Sequence, residues 1–297
     1  MRLLIFTLLL FTLCTPLLAD TNRGEALLID ALRQKQAGSL EAAIYDLSLA
    51  SADKDFQLAE YAQFEIGRIY YSQGKYALAA PQYLNFISAY PQSILLPQAN
   101  LMLGKCFLNQ KKYPEARQRF DQLVTDFPDA REAAEARYMA AKSYEAEKKW
   151  KESYLAYEET DLYHPLSYFG RKARLAIAAL KKAHRKKLPV FKASAEALYK
   201  KGMAYFDQDD YEMAANIFNR LAREYPKSKF TWQALLMLGK AEYQSDSPAA
   251  ISDLQRAAEG PSNYAGIAHY YLGFAYARKG DYDNAIVAMR KVTDRYP

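Results

Sequence analysis

A small residue recurs at Gly67, Gly104, Ala141, Gly202, Gly239 and Gly273, and each copy opens the same series of residue types. Three residues on stand Tyr70, Phe107, Tyr144, Tyr205, Glu242 and Tyr276. Nine on stand Tyr76, Tyr113, Trp150, Tyr211 and Tyr282; twelve on, Ala79, Ala116, Ser153, Ala214 and Ala285. Sixteen on stand Tyr83, Phe120, Tyr157, Phe218 and Met289, and a proline closes the copy at 91, 128, 165, 226 and 297. The spacings are 37, 37, 61, 37 and 34 residues, and the Gly239 copy is one residue shorter, with Ala250 and Leu254 in its later positions. A unit of this length cannot bury its apolar face alone, so the copies must stack on one another.

Each copy reads as two helices. The first has apolar residues at a 3.6-residue period, as in 60–73, and ends at a turn such as Gly74-Lys75 or Gly280-Asp281. The second, such as 76–90, stops where proline cannot continue a helix and restricts the residue before it. Gly67 against Ala79, and Gly104 against Ala116, are expected to let paired helices approach closely. The aromatic positions then fill the space between pairs, which accounts for many of the 25 tyrosines. The fold class expected is all-α, a solenoid of antiparallel helix pairs.

The series of small residue, aromatic, aromatic, alanine, aromatic and proline resembles the tetratricopeptide repeat (TPR). The Tyr-Pro and Phe-Pro endings at 90–91, 127–128, 225–226 and 296–297 resemble a bacterial envelope subset of the BamD and YbgF (CpoB) type. That resemblance implies a non-enzymatic scaffold or adaptor whose protein partners work in outer-membrane assembly or cell-wall coordination. The alternatives are the helical arm of a cell-wall enzyme, such as a lytic transglycosylase, and a peripheral binder of anionic membranes.

The N-terminus carries Arg2, an apolar run from Leu3 to Leu13, then Thr15, Pro16 and Leu17-Leu18-Ala19-Asp20. This is the pattern of a signal peptide over 1–19, cleaved after Ala19, so the protein is expected to be exported, periplasmic or peripheral to the outer membrane. Cys14 raises lipidation as a second possibility, against which Leu13 is bulky for the preceding position. After cleavage Cys106 alone remains, on an apolar stripe where a free thiol acts as a small hydrophobe.

The segment 23–52 is a degenerate first copy: Gly38, Leu40, Ala43, Leu47 and Ala50 match a second half, but Asp30 stands where a core leucine is expected. It reads as an N-terminal cap. The 61-residue interval holds one additional helix, with Phe169, Ala173, Ile177, Leu180 and Ala183 as its apolar stripe. Hence a first array with its capping helix is expected over 20–187, a hinge over 188–192 and a second array over 193–297. No capping helix follows that array, so its apolar end is expected to be covered by further chain or by another molecule.

In such repeats the residue after the small position faces a concave groove, and the residue three before it lies one turn away. The candidate partner-binding residues are therefore Phe64, Arg68, Leu101, Lys105, Tyr138, Lys142, Tyr199, Lys240 and Tyr270, an aromatic and aliphatic row beside a basic one. A surface of that kind fits an extended or helical peptide; a merely solvated helix face accounts for the same charges. A second candidate is the basic surface of Arg171, Lys172, Arg174, Lys181, Lys182, Arg185, Lys186 and Lys187. Across 166–201 eleven Lys and Arg face only Glu196, whereas the whole chain is +6, so the remainder is slightly acidic. Solvation of a capping helix explains this cluster; an anionic membrane or an acidic partner is the sharper reading.

No constellation for catalysis appears. His164, His184 and His269 are scattered over different helices, without cysteine or carboxylate at ligand spacing. No metal or cofactor is expected, and export disfavours nucleic acid. Oligomeric state is left open by the sequence.

Overall fold

The computed structural model describes residues 23–296. The expected signal peptide, Cys14 and Pro297 lie outside the described residues. Fifteen α-helices run α1 (Arg23–Gln36), α2 (Leu40–Ala52), α3 (Ala59–Ser72), α4 (Tyr76–Ala89), α5 (Leu96–Asn109), α6 (Tyr113–Asp126), α7 (Ala133–Ala146), α8 (Trp150–Tyr163), α9 (Tyr168–His184), α10 (Ala195–Phe206), α11 (Tyr211–Glu224), α12 (Thr231–Gln244), α13 (Ala250–Ala258), α14 (Ser262–Arg278) and α15 (Tyr282–Arg295). No strand occurs among the described residues.

The turn between paired helices has one solution throughout. The seventh residue after each small position is left-handed: Gly38, Gly74, Lys111, Lys148, Asp209, Asp246 and Gly280, with φ between 56° and 82°. Beside it the backbone closes a Schellman motif. Lys75 N–H donates to the Tyr70 carbonyl, Lys112 to Phe107, Asp210 to Tyr205 and Asp281 to Tyr276, which satisfies carbonyls orphaned at the helix end. The left-handed Gly38 places the first copy's small position at Ala31, which is buried. Asp30, beside it, is exposed and pairs with Arg33 at 3.2 Å.

Close approach within each pair depends on a partner other than the one expected. A Cβ on Gly67 would lie 2.9 Å from the Tyr83 ring, and one on Gly202 would lie 2.6 Å from the Phe218 ring. The residue sixteen on, rather than the alanine twelve on, occupies the space that the glycine leaves. Tyr83, Phe120 and Phe218 are fully buried there, and each contributes about 1.5–3 kcal/mol by leaving water. The Gly239 copy makes the same contact with Leu254 of its nine-residue α13.

The chain divides into two compact units, residues 1–149 and 150–297, so the boundary falls inside the repeat that begins at Ala141. In the first unit each helix from α1 to α7 packs on the next, and α5 also touches α7. In the second, α10 to α15 follow the same order, with α12 also against α14. The basic helix α9 belongs to the second unit and packs on α8. Residues 188–194, which include the expected hinge, are non-helical and lie within that unit. Cys106 is fully buried in the first unit among Ala79, Tyr83, Ala99 and Leu103, and burial pushes its thiol up to about 12.

Candidate functional site

Within each unit the expected groove residues lie on the first helices of successive repeats. Two of them are core residues instead. Phe64 is buried edge-on between Tyr83 and Phe86, at 5.5 and 5.4 Å. Leu101 is buried with Ala116, Phe120 and Leu123. The residue three before the small position thus points into the stack in these two repeats, because a bulky apolar group there completes the contact with the second helix. Tyr138 and Tyr199 are half-buried, and Tyr270 is exposed.

The basic residues of the first unit are matched by carboxylates. Arg68 lies 2.5 Å from the buried Glu65, which also receives Lys35 of α1 at 2.7 Å. Lys105 on α5 reaches Glu135 on α7 at 2.5 Å, and Lys142 stands 4.0 Å from Glu145. The expected cationic row is therefore largely neutralised within its own unit. Sequence reasoning missed Glu65 and Glu135; the available signal was a lone acid amid apolar neighbours, Phe64 and Ile66.

The second unit treats its groove cation differently. Lys240 of α12 lies over two rings, Phe206 of α10 at 5.7 Å and Tyr271 of α14 at 5.2 Å. Among the described residues no carboxylate stands within ion-pair distance of it. Tyr271 in turn meets the exposed Tyr270 edge-on at 5.7 Å, and Tyr270 stands edge-on to the exposed Phe274 at 4.8 Å; elsewhere in the unit Tyr199 stacks on Phe230 at 5.5 Å. An ammonium held by ring faces keeps its charge available to an incoming anion, and exposed rings beside it offer apolar contact.

The expected basic surface is smaller than its composition suggests. Arg174 donates to Asp161 at 2.6 Å, to the Pro165 carbonyl at 2.8 Å and to the Tyr205 hydroxyl at 2.9 Å. Lys201 meets the other Asp161 oxygen at 2.5 Å. Lys181 pairs with Glu158 at 3.1 Å and lies over Tyr154. Arg171 donates to the carbonyl of Leu166, and Lys172 lies over Tyr168. Lys182, Arg185, Lys186 and Lys187 are exposed at the end of α9, where cations also suit the negative helix terminus.

The histidines stay apart. His184 stacks on Trp150 at 4.7 Å, and His269 stacks on Tyr296 at 6.1 Å. Burial, aided by Lys291 and Arg295, lowers the His269 pKa. Among the described residues no three His, Cys, Asp or Glu gather to hold a metal, and no helix is long and apolar enough to cross a membrane.

One further titratable pair stands out in the second unit. Glu242 occupies the position that is aromatic in the other five copies, and its carboxyl is pushed up to about 8 by burial and by its hydrogen bond to Asp253. Asp253 in turn accepts from Arg256.

Tetratricopeptide repeat family models match residues 64–131 and 101–161, residues 196–228, and residues 266–297. No curated protein matches the chain significantly. Among solved structures the chain is similar to a tetratricopeptide repeat protein from Parabacteroides merdae, at 16% identity over 93% of this chain and 94% of that one, with a TM-score of 0.46. It is also similar to the TPR2AB domain of yeast Sti1 in its complex with pHSP90, at 17% identity over 78% and 89%, TM-score 0.38. A third is YrrB, described as a TPR protein with an unusual peptide-binding site, at 16% identity over 72% and 92%, TM-score 0.35. With its helix pairs, left-handed turns and family matches in both units, the chain is built of tetratricopeptide repeats.

Proposed function

We propose that the protein is a non-catalytic scaffold that holds an anionic, aromatic- or aliphatic-bearing peptide segment against the first helices of its second unit. The observation that carries this reading is Lys240, poised over Phe206 and Tyr271 with no carboxylate of its own. A carboxylate of the partner supplies the missing counter-charge, and Tyr270 and Phe274 receive apolar side chains beside it. Peptide binding by YrrB and the pHSP90 complex of Sti1 are in keeping with this reading as features of those proteins.

The setting we propose is the bacterial cell envelope, in outer-membrane assembly or cell-wall coordination. Support comes from the signal-peptide pattern at 1–19 and the Tyr-Pro and Phe-Pro repeat endings of the BamD and YbgF type. Crosslinked capture from envelope extracts, with mass spectrometry of the captured chains, tests both parts. Lys240→Ala is expected to reduce capture about tenfold, the loss of one charge-assisted contact, while the unfolding midpoint stays put. Lys105→Ala, which removes an already paired cation, is the control expected to leave capture intact. Equal capture by wild type and Lys240→Ala rejects the site.

A further inference from the structure

The cations of α9 divide into two sets. Arg171, Arg174 and Lys181 are engaged by a backbone carbonyl, by Asp161 and by Glu158. Lys182, Arg185, Lys186 and Lys187 are exposed, and none has a carboxylate at ion-pair distance among the described residues. Lys182 lies one turn from both Arg185 and Lys186, and like charges at that spacing repel. The negative end of the helix favours cations in its last turn. It acts on all four alike, however, and does not explain why two of them line a cavity.

That cavity has a volume of about 630 Å³ and is walled by Tyr154 of α8, by Lys181, Lys182 and Arg185, and by Leu188 and Pro189. Local sequence builds it. A single 3-10 turn over Arg185–Lys187 ends the helix, and Pro189 restricts Leu188 to an extended backbone, with ψ at 139°. The chain therefore turns away from the helix and sets two apolar residues beside the cations. His184, stacked on Trp150 at 4.7 Å, fastens the last turn of α9 to the start of α8. Lys181 lies over the Tyr154 ring at 5.4 Å and gives Glu158 one of its three ammonium protons, which leaves donors for a further acceptor.

We infer that this cavity binds a phosphate monoester, with the phosphate on Lys182 and Arg185 and the organic group against Leu188 and Pro189. Two uncompensated cations at one place call for a dianion, and a phosphate monoester carries about −1.5 to −2 at neutral pH with three strong acceptor oxygens. A carboxylate would neutralise only one of them. Arginine presents a planar fork that matches phosphate, and lysine adds a point charge beside it. Lys186 and Lys187 lie outside the cavity lining and contribute only a diffuse attraction.

Isothermal titration calorimetry of the full chain with phenyl phosphate tests the site, at about 50 mM salt to limit screening and with circular dichroism confirming that each variant is folded. Saturable binding with a dissociation constant below about 1 mM is expected. Inorganic phosphate, which cannot use the apolar wall, should bind several-fold more weakly. Lys182→Ala/Arg185→Ala should weaken phenyl phosphate at least about tenfold, whereas Lys186→Ala/Lys187→Ala removes as much charge and should change it less than about threefold. Phosphatidic acid vesicles separate the two sources of such a group. A chain that the vesicles do not sediment takes a soluble monoester. One that they sediment, and that phenyl phosphate or Lys182→Ala/Arg185→Ala releases, takes a lipid headgroup in the same cavity. The inference is overturned by phenyl phosphate that shows no saturable binding up to about 10 mM, or by two double variants that weaken it equally. Vesicle binding that phenyl phosphate leaves untouched overturns it too, since the cations would then act as an open surface.

Discussion

The two units place lysine at equivalent positions of the first helices and satisfy it by different means. In the first, Lys105 reaches across to Glu135 on the neighbouring first helix, and Glu65 serves both Lys35 and Arg68. In the second, Lys201 is tied to Asp161, but Lys240 rests on the faces of Phe206 and Tyr271. A carboxylate partner spends the cation's charge inside the fold; an aromatic partner positions the ammonium and leaves its charge outward. The same backbone therefore yields one wall that is electrostatically closed and one that is open. Basic residues alone do not mark a binding surface in a repeat stack. Their partners do.

The strongest way to break this contrast is to remove a buried carboxylate that holds two cations at once. Asp161→Ala strips Arg174 and Lys201 together, and Lys201 is only 13% exposed. Loss of a buried counter-ion costs about 3–5 kcal/mol, so urea unfolding should show the second unit melting earlier by that amount. Glu65→Ala in the first unit should cost less, about 1–3 kcal/mol, because Lys35 and Arg68 can turn to water. Equal losses in the two variants would mean that burial of the cations does not set the cost.

A second test sharpens the contrast through pH. The folded Glu242 holds its proton up to about 8, well above the ordinary carboxylate value of 4.5. Folding therefore retains a proton that the unfolded chain releases, and stability falls as pH rises from about 4.5 through about 8. Ionisation sets two carboxylates against each other across α12 and α13, with Arg256 as the opposing charge. Glu242→Gln, which can still donate to Asp253, should flatten that decline in thermal midpoint between pH 5 and pH 8, a window set by the same linkage. An unchanged slope would place the titration elsewhere.

The smallest expected effect lies in the turns. Lys111 and Asp246 sit at φ of 61° and 56°, where a side chain costs about 1 kcal/mol relative to glycine. Lys111→Gly and Asp246→Gly should each raise stability by about 0.5–1 kcal/mol, less the entropy that glycine adds to the unfolded chain. Differential scanning calorimetry resolves the gain. A loss in either unit would show that the turn side chain holds its neighbours in place.

The repeat was legible because it is local. Offsets of three, nine, twelve and sixteen residues report helix period and pairing directly, and the turns followed at Gly74 and Gly280, where glycine announces a left-handed residue. Lys111, Lys148, Asp209 and Asp246 do the same work without that announcement, so only comparison between copies reveals them. The groove was less legible. Phe64 and Leu101 share an offset with Tyr199 and Tyr270, yet depth within the stack depends on neighbouring helices that no single copy contains. The carboxylate that neutralises Lys105 of the basic row lies 30 residues away at Glu135, and Asp161 lies 40 residues from Lys201. Pairing across repeats is a tertiary fact, and composition registered it only as excess charge.

The buried Cys106 makes the first unit separately observable. In a chain lacking residues 1–19 it is the sole thiol, it is sealed among Ala79, Tyr83 and Leu103, and burial keeps it protonated. Its modification by a soluble disulfide reagent therefore requires the first unit to open. The labelling rate becomes a clock for breathing of one unit alone, read in the intact protein without cutting the chain or altering a residue.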